Sequence, residues 1–416
     1  MLLEGANDQF RMIRVVFHEH DENRFTDHFL LLVVVHVCRN STRFSEFGAL
    51  AYGLRRSAIL QSSNSPLQSS SMLPILAFSI LVLLSHLLVR LIRRYAERRQ
   101  ILDHPTERGL HVTPTPRGGG LAIVLIVIGT GLWFVRTEDL SRNLVYLACG
   151  VVIAFLGWRD DLHSLSPRVR FAVQGLVAAV SIYGLGYFKS VTIPLFGELQ
   201  LSAVGVVITF LWIVGLTNAY NFMDGIDGIA GGVAFAAGLG WVMLAANITY
   251  LANSFVFWIG LAIAASSLGF LGHNWQPAKI FMGDVASTFL GYSFAVMPLL
   301  ASNEEGDALM LGTLLMWTFI MDAGVTFLRR ALKREKLLFG HRDHVYQRLV
   351  VGGYSHAKVS ALYIVLTFLS LALASEWGNG SRLASALILF GLPLTYYVLH
   401  RHANTLLSTN DTKNTK

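Results

Sequence analysis

Charge and cysteine are what this chain lacks. Asp, Glu, Lys and Arg make up 14% of its 416 residues while 53% are hydrophobic, against roughly a quarter charged in a soluble domain. The balance excludes an ordinary water-soluble fold and indicates a membrane protein. Its two cysteines, Cys38 and Cys149, support neither a disulfide framework nor a thiolate metal site. Nowhere do a basic start, a short apolar core and a small-residue cleavage site follow in order, so the sequence shows no signal peptide.

What is present is apolar length. Eleven stretches approach or reach the span of a bilayer, near residues 72–92, 118–135, 143–158, 171–188, 201–217, 229–248, 251–272, 285–301, 308–328, 357–375 and 383–399. The expected fold is an all-α polytopic membrane protein of about eleven transmembrane helices. A small outer β-hairpin is expected within 191–199, turning near Gly197. Residues 1–71 differ in character, mixing charge, His and Ser around one apolar run too short to span, and Met72 opens directly onto the first span. They read as an N-terminal extension, disordered or the product of a misassigned start. Residues 72–400 form the membrane domain and 401–416 a polar cytoplasmic tail.

Basic residues set the orientation, because loops rich in Lys and Arg stay cytoplasmic. Alternate loops at 90–117, 158–170, 272–284 and 329–358, with the C-terminal tail, hold 22 of them, and the opposite loops hold 4. This asymmetry explains the net charge of +7 without a nucleic-acid partner. The unusual acids, amides and histidines fall on the same basic face: Arg117-Gly118-Gly119-Gly120, Asp160-Asp161, the run from Asn218 to Asp227, the segment from His273 to Asp284, and His341-Arg342-Asp343-His344. A transporter would place such groups near the midplane, often in broken helices. A rim of polar groups on one face suits an enzyme better.

Each cluster has a plain structural reading beside the chemical one. Asp160 and Asp161 diverge by about 100° on a helix, so one can face a site while the other caps or pairs, or both can simply mark the water boundary. Asn218, Asn221, Asp224 and Asp227 recur every three residues, and one straight helix cannot aim all four at one point. Gly225 and Gly228 predict a break there, with exposed N–H groups and acids suited to phosphate and metal. Asp284 at a helix start is an ordinary cap or a metal ligand. Carboxylates with few His or Cys nearby favour Mg²⁺ or Mn²⁺, and Mg²⁺ typically shares its shell with substrate phosphates. His341 and His344 flank Arg342 at a spacing that allows one amphipathic turn on a phosphate, or an ordinary solvated loop.

Taken in order, Pro114-Thr115-Pro116-Arg117-Gly118-Gly119-Gly120, Asp160-Asp161, Asn218 to Gly228, Phe281-Met282-Gly283-Asp284 and His341 to Gln347 resemble the polyprenyl-phosphate N-acetylhexosamine-1-phosphate transferases. The likeness runs from about Met72 to the C-terminus. It implies transfer of an amino-sugar 1-phosphate from a UDP-sugar to undecaprenyl phosphate at the cytoplasmic face of the bacterial inner membrane, releasing UMP. The step would initiate O-antigen or related envelope polysaccharides. The resemblance implies Mg²⁺, with Mn²⁺ as substitute, held by Asp284, Asn221 and Asp224. It makes Asp160, Asp161 and Asp284 catalytic, and assigns substrate contacts to Asn218, Asn221, Asp224, Asp227, Lys279, His341, Arg342 and His344. Its partners are the UDP-sugar, the lipid phosphate and membrane lipid, with a homodimer allowed.

The chain departs from the family in two places. The loop reads His-Arg-Asp-His where the peptidoglycan enzyme has three consecutive His, which directs the reading to O-antigen or capsule initiators. After Asp284 comes Val-Ala-Ser where a Gly usually precedes the Ser. The amino sugar stays open among GlcNAc, GalNAc, FucNAc and QuiNAc. A lipid-linked-sugar carrier or flippase is the rival from another class, and an idle membrane scaffold a second; neither needs UMP release.

Overall fold

A computed structural model describes residues 67–105, 110–111, 113–135, 139–247, 255–301, 307–335 and 342–414. The expectation for the N-terminal extension therefore lies almost wholly outside the described residues. The elements are α1 (Leu67–Arg99), β1 (Leu102–Asp103), β2 (Thr115–Pro116), α2 (Leu121–Phe134), α3 (Leu140–Leu162), α4 (Pro167–Leu185), β3 (Ser190–Ile193), β4 (Gly197–Gln200), α5 (Val204–Met223) and α6 (Ile229–Asn247). Then come α7 (Phe255–Asn274), α8 (Asp284–Ala301), α9 (Asp307–Leu315), α10 (Trp317–Leu332), α11 (Val345–Val351), α12 (His356–Gly378), α13 (Arg382–Ala386) and α14 (Leu392–Asn414).

Each of the expected apolar stretches is helical over most of its described residues. Among the described residues eight helices are long and apolar enough to cross a membrane. The stretch at 308–328 is not one straight helix: α9 and α10 meet at an angle of 81° around Met316. Two others, α2 and the apolar part of α6 over Ile229–Ala245, are shorter. At the end of the chain a π turn over Leu387–Gly391 joins α13 to α14. Pro393 follows it, and a proline that cannot donate to the preceding turn is a recognised cause of such local widening. The last helix runs on to Asn414, so the polar stretch after residue 400 prolongs it.

Helices α7 and α8 sit at the centre, enclosed by the others over most of their length. Phe270, Phe289, Tyr292 and Phe294 are fully buried there. The flanking spans instead turn Leu87, Phe155, Leu176, Leu211 and Leu369 outward, as helices facing lipid must. Lipid tails are as apolar as leucine, so helix association depends on close approach and hydrogen bonds rather than on hydrophobic transfer. A Cβ on Gly291 would meet the backbone of α5 at Thr217, and one on Gly238 would meet that of α7 at Ala264. Ser85 Oγ donates to Ser266 O at 2.6 Å, and Trp212 Nε1 donates to Ala295 O at 2.9 Å.

The hairpin expected at 191–199 is present: β3 and β4 pair antiparallel from Ser190↔Gln200 to Ile193↔Gly197. Gly197 has φ +86°, a conformation that favours glycine. A second two-stranded ladder, Leu102↔Pro116 and Asp103↔Thr115, has no counterpart in the sequence reading. It brings the stretch before Arg117 against the end of α1.

Candidate active site

Two motifs far apart in sequence are joined backbone to backbone. Phe281 N donates to Pro116 O at 2.8 Å, Gly119 N to Phe281 O at 2.9 Å, and Gly120 N to Met282 O at 3.0 Å. Glycine is needed where the elements touch. A Cβ on Gly120 would lie 2.2 Å from the Ala286 Cβ, and one on Gly157 would lie 2.2 Å from Asp284 O. The glycine run at 118–120, weak as a sequence signal, is thus part of the frame.

That frame places α3 beside the N-terminus of α8. Asp161 accepts from Asp284 N at 2.9 Å through Oδ1 and from Val285 N at 3.0 Å through Oδ2. Arg117 also donates to Asp161 Oδ1, at 2.5 Å. Asp160 turns elsewhere, as the divergence of adjacent helical residues requires. It accepts from Leu165 N at 2.6 Å and from Arg170 at 2.9 Å. The same Arg170 nitrogen lies 4.0 Å from Asp284 Oδ2.

The break expected between Asn218 and Asp227 is where the glycines put it. Helix α5 stops at Met223, Gly228 has φ +81°, and α6 begins at Ile229. The four polar residues separate accordingly. Asn218 is buried within the bundle, donating to Gln174 Oε1 at 2.7 Å and Val214 O at 2.8 Å. Asn221 donates to Asp284 Oδ1 at 2.9 Å and Ser287 Oγ at 2.8 Å. Asp227 accepts from Ala278 N at 3.1 Å and lies 3.3 Å from His356 Nδ1.

Asp224 is the exception. Its carboxylate has no hydrogen-bond or ion-pair partner among the described residues, and it faces a cavity of about 230 Å³ whose walls include Asp103, His111, Arg117, Asp227, Phe281, Asp284, Gln347 and His356. Burial, and then the charges of Asp284 and Asp161, push its pKa up to about 8. Arg117 responds oppositely: burial lowers its pKa, yet the charges of Asp161, Asp284 and Asp103 together raise it above the ordinary value. It therefore stays charged.

Of the other expected residues, Lys279, Arg342 and His344 are not among those lining this cavity. His341 is outside the described residues. Residues 342–344 are not helical and lead into α11, so the expected amphipathic turn is absent at Arg342–His344. His344 is buried with Nδ1 3.5 Å from Asp322. Asp322 caps α11, accepting from Val345 N at 2.8 Å, Tyr346 N at 3.1 Å and Tyr363 Oη at 2.6 Å. From this loop it is Gln347 that lines the cavity, and Lys279 does not. Sequence reasoning did not single out Arg170, Gln347, His356, His111 or Asp103. Arg170 was counted only as topology, Gln347 only closed the loop motif, and the rest carry no local signal.

Among the described residues no three His, Cys, Asp or Glu side chains converge to hold a metal ion. Two carboxylates do converge, Asp224 without a partner and Asp284 with one oxygen bonded to Asn221. Such an all-oxygen set fits Mg²⁺ or Mn²⁺ sharing its shell with phosphate, and does not fit zinc.

Comparison with known proteins agrees with this geometry. The family model for glycosyl transferase family 4 matches residues 143–302. A probable undecaprenyl-phosphate N-acetylglucosaminyl 1-phosphate transferase of Bacillus subtilis is 32% identical over 297 residues, covering 70% of this chain and 81% of the relative. A decaprenyl-phosphate N-acetylglucosaminephosphotransferase of Mycobacterium tuberculosis is 31% identical, covering 64% and 73%. The undecaprenyl-phosphate alpha-N-acetylglucosaminyl 1-phosphate transferase of Escherichia coli K12 is 28% identical, covering 68% and 77%. With its acids gathered at one end of a helical bundle and this degree of likeness, the chain belongs to glycosyl transferase family 4, among the polyprenyl-phosphate hexosamine-1-phosphate transferases.

Proposed function

We propose that this protein transfers an N-acetylamino-sugar 1-phosphate, GlcNAc 1-phosphate first among them, from a UDP-sugar to undecaprenyl phosphate, releasing UMP on the cytoplasmic side of a bacterial inner membrane. The observation that carries the reading is the unpartnered Asp224 carboxylate beside Asp284 and Arg117 in one cavity. The relatives' names support GlcNAc and a polyprenyl phosphate. The excess of Lys and Arg in the loops that supply these residues supports the cytoplasmic side.

The lipid phosphate needs little activation. A phosphate monoester has a second pKa near 6, so it is largely dianionic at neutral pH. Its oxygen attacks the sugar-bearing phosphorus of the donor, the bond from that phosphorus to the bridging oxygen breaks, and UMP leaves with the electron pair. The obstacle is repulsion between anions, so positive charge and alignment are what the site must provide. Arg117 and Arg170 supply fixed charge, each held by an aspartate. Asp161 and Asp160 are positioning residues in this scheme. Their oxygens are spent on arginines and backbone N–H groups, which supports direct attack over a covalent aspartyl intermediate. Asp224 and Asp284, with the Asn221 side chain beside them, would hold a divalent cation, which would supply further positive charge for the phosphates.

The test incubates purified protein and Mg²⁺ with undecaprenyl phosphate and a panel of UDP-N-acetylamino sugars, and measures UMP. UMP from UDP-GlcNAc that requires both lipid and divalent cation is the expected result. Absence of UMP with every donor overturns the reading.

A further inference from the structure

The first turn of α12 is stitched to the loop that carries Asp227. Asp227 N donates to His356 Nδ1 at 3.3 Å, and Ser360 Oγ donates to Asp227 O at 2.7 Å. One turn away, Ala357 N donates to Gln276 Oε1 at 2.8 Å. These contacts span more than 80 residues of sequence and come from a helix outside residues 143–302, where the family match lies. Their effect is to fix a histidine at the wall of the cavity.

The ring's state follows from its partner. When the Asp227 amide donates to Nδ1, a neutral imidazole carries its proton on Nε2. Nε2 is then a donor, on a residue that lines the cavity. We propose that His356 is a further substrate-binding residue, donating from Nε2 to an oxygen of the uncharged part of the nucleotide-sugar donor, a hydroxyl or carbonyl; this rests on the transferase reading above.

Charge favours that part of the donor over a phosphate. His356 Nδ1 lies 3.3 Å from the Asp227 carboxylate, which repels a phosphate dianion, and Gln347, which lines the same cavity, is neutral. The arginines stand with the other acids, on Asp160, Asp161 and Asp284. The cavity wall thus carries a cation, Arg117, paired with Asp161, and a histidine, His356, paired with the Asp227 carboxylate. Only the first suits pyrophosphate or the lipid phosphate.

The test compares His356→Ala, His356→Gln and His356→Asn in the full-length protein with Mg²⁺, UDP-GlcNAc and undecaprenyl phosphate. His356→Ala should raise KM for UDP-GlcNAc about tenfold, the effect of one lost hydrogen bond, and leave KM for the lipid unchanged. The amide nitrogen of Gln reaches the Nε2 position and that of Asn only the Nδ1 position, so Gln should restore most of the donor KM and Asn should not. Rescue by Asn but not Gln would mean that the ring merely staples the Asp227 loop, and overturns the proposal. So does an unchanged donor KM in His356→Ala. Should the alanine variant fail to fold, the Gln and Asn pair decides alone. Direct titration of UDP-GlcNAc keeps the two readings apart. Wild-type protein that binds the donor but releases no UMP overturns the transferase reading, whereas donor affinity untouched by the Gln, Asn and Ala changes overturns the role of His356.

Discussion

Asp161 holds Arg117 at 2.5 Å while its two oxygens also cap the first two amides of the helix that begins at Asp284. One carboxylate thereby fixes both a cation and a candidate metal ligand. Hydrogen bonds to charged groups are worth about 1.5–3 kcal/mol each, and their loss would be felt in geometry as well as stability. Asp161→Asn keeps the shape and one acceptor oxygen but removes the negative charge that pairs with Arg117 and the acceptor for Val285 N. UMP release should fall by about a hundredfold or more, and the thermal midpoint in detergent should drop by several degrees. Activity within a fewfold of wild type would show that Arg117 needs no such anchor.

Asp284→Asn acts on the cation rather than on the frame. Its backbone amide still meets Asp161, so membrane insertion and elution in size exclusion should be unchanged. Turnover should fall by about a hundredfold or more, because the site would lose one of the two carboxylates proposed to hold the cation. Titration with Mg²⁺ should not restore it. Full activity in this variant at low Mg²⁺ would remove Asp284 from the metal site.

Asp224 predicts how stability varies with pH. Burial and the neighbouring acids push its pKa to about 8 in the folded protein, against roughly 4 in an unfolded chain. Across that window the folded state binds the extra proton, so this group's contribution to stability is full below about pH 4 and is lost as pH rises to about 8. In cation-free protein Asp224→Asn should therefore raise the melting temperature near pH 8, with the gain vanishing near pH 4. Equal gains at both ends would mean that the substitution acts through packing and not charge.

Periodicity and charge made the helices legible, since apolar length and loop Lys and Arg are local signals. The break after Met223 was legible for a similar reason: helical arithmetic forbids Asn218 and Asp227 from sharing a face, and glycines stand where a break was needed. The pairing within the site was not. Nothing near Asp161 announces that it caps a helix 123 residues later, and nothing near His356 announces Asp227. The 81° bend at Met316 also escaped, because hydropathy continues through it. His344 is a related case: His beside Arg looks like a phosphate contact, and nothing local announces that its ring lies 3.5 Å from Asp322.

Asp322 itself should matter without touching substrate. It is fully buried and accepts from two amides of α11 and from Tyr363, and Tyr346 in that helix donates onward to Phe222 O at 2.9 Å. Removing a buried acceptor with several donors costs about 3 kcal/mol or more. Asp322→Ala should lower the melting temperature and speed hydrogen exchange at Val345 and Tyr346, and it should raise the donor KM through displacement of Gln347. Asp322→Asn should recover part of each. Unaltered exchange at those amides would show that α11 is held by packing alone.

Gly283 offers the sharpest check on the frame. Its φ of +81° is strained for any side chain, and a Cβ there would stand 2.7 Å from Asp161 Oδ2. Gly283→Ala should thus push Asp161 off the amides of Asp284 and Val285, costing activity through the same contacts that Asp161→Asn loosens. Substitutions that break one shared interaction are not additive. The double variant should lose scarcely more UMP release than the worse single one, by a cycle of four purified proteins assayed side by side. Full additivity would mean that Gly283 serves the turn for its own sake, and that Asp161 meets the helix by a route the glycine does not govern.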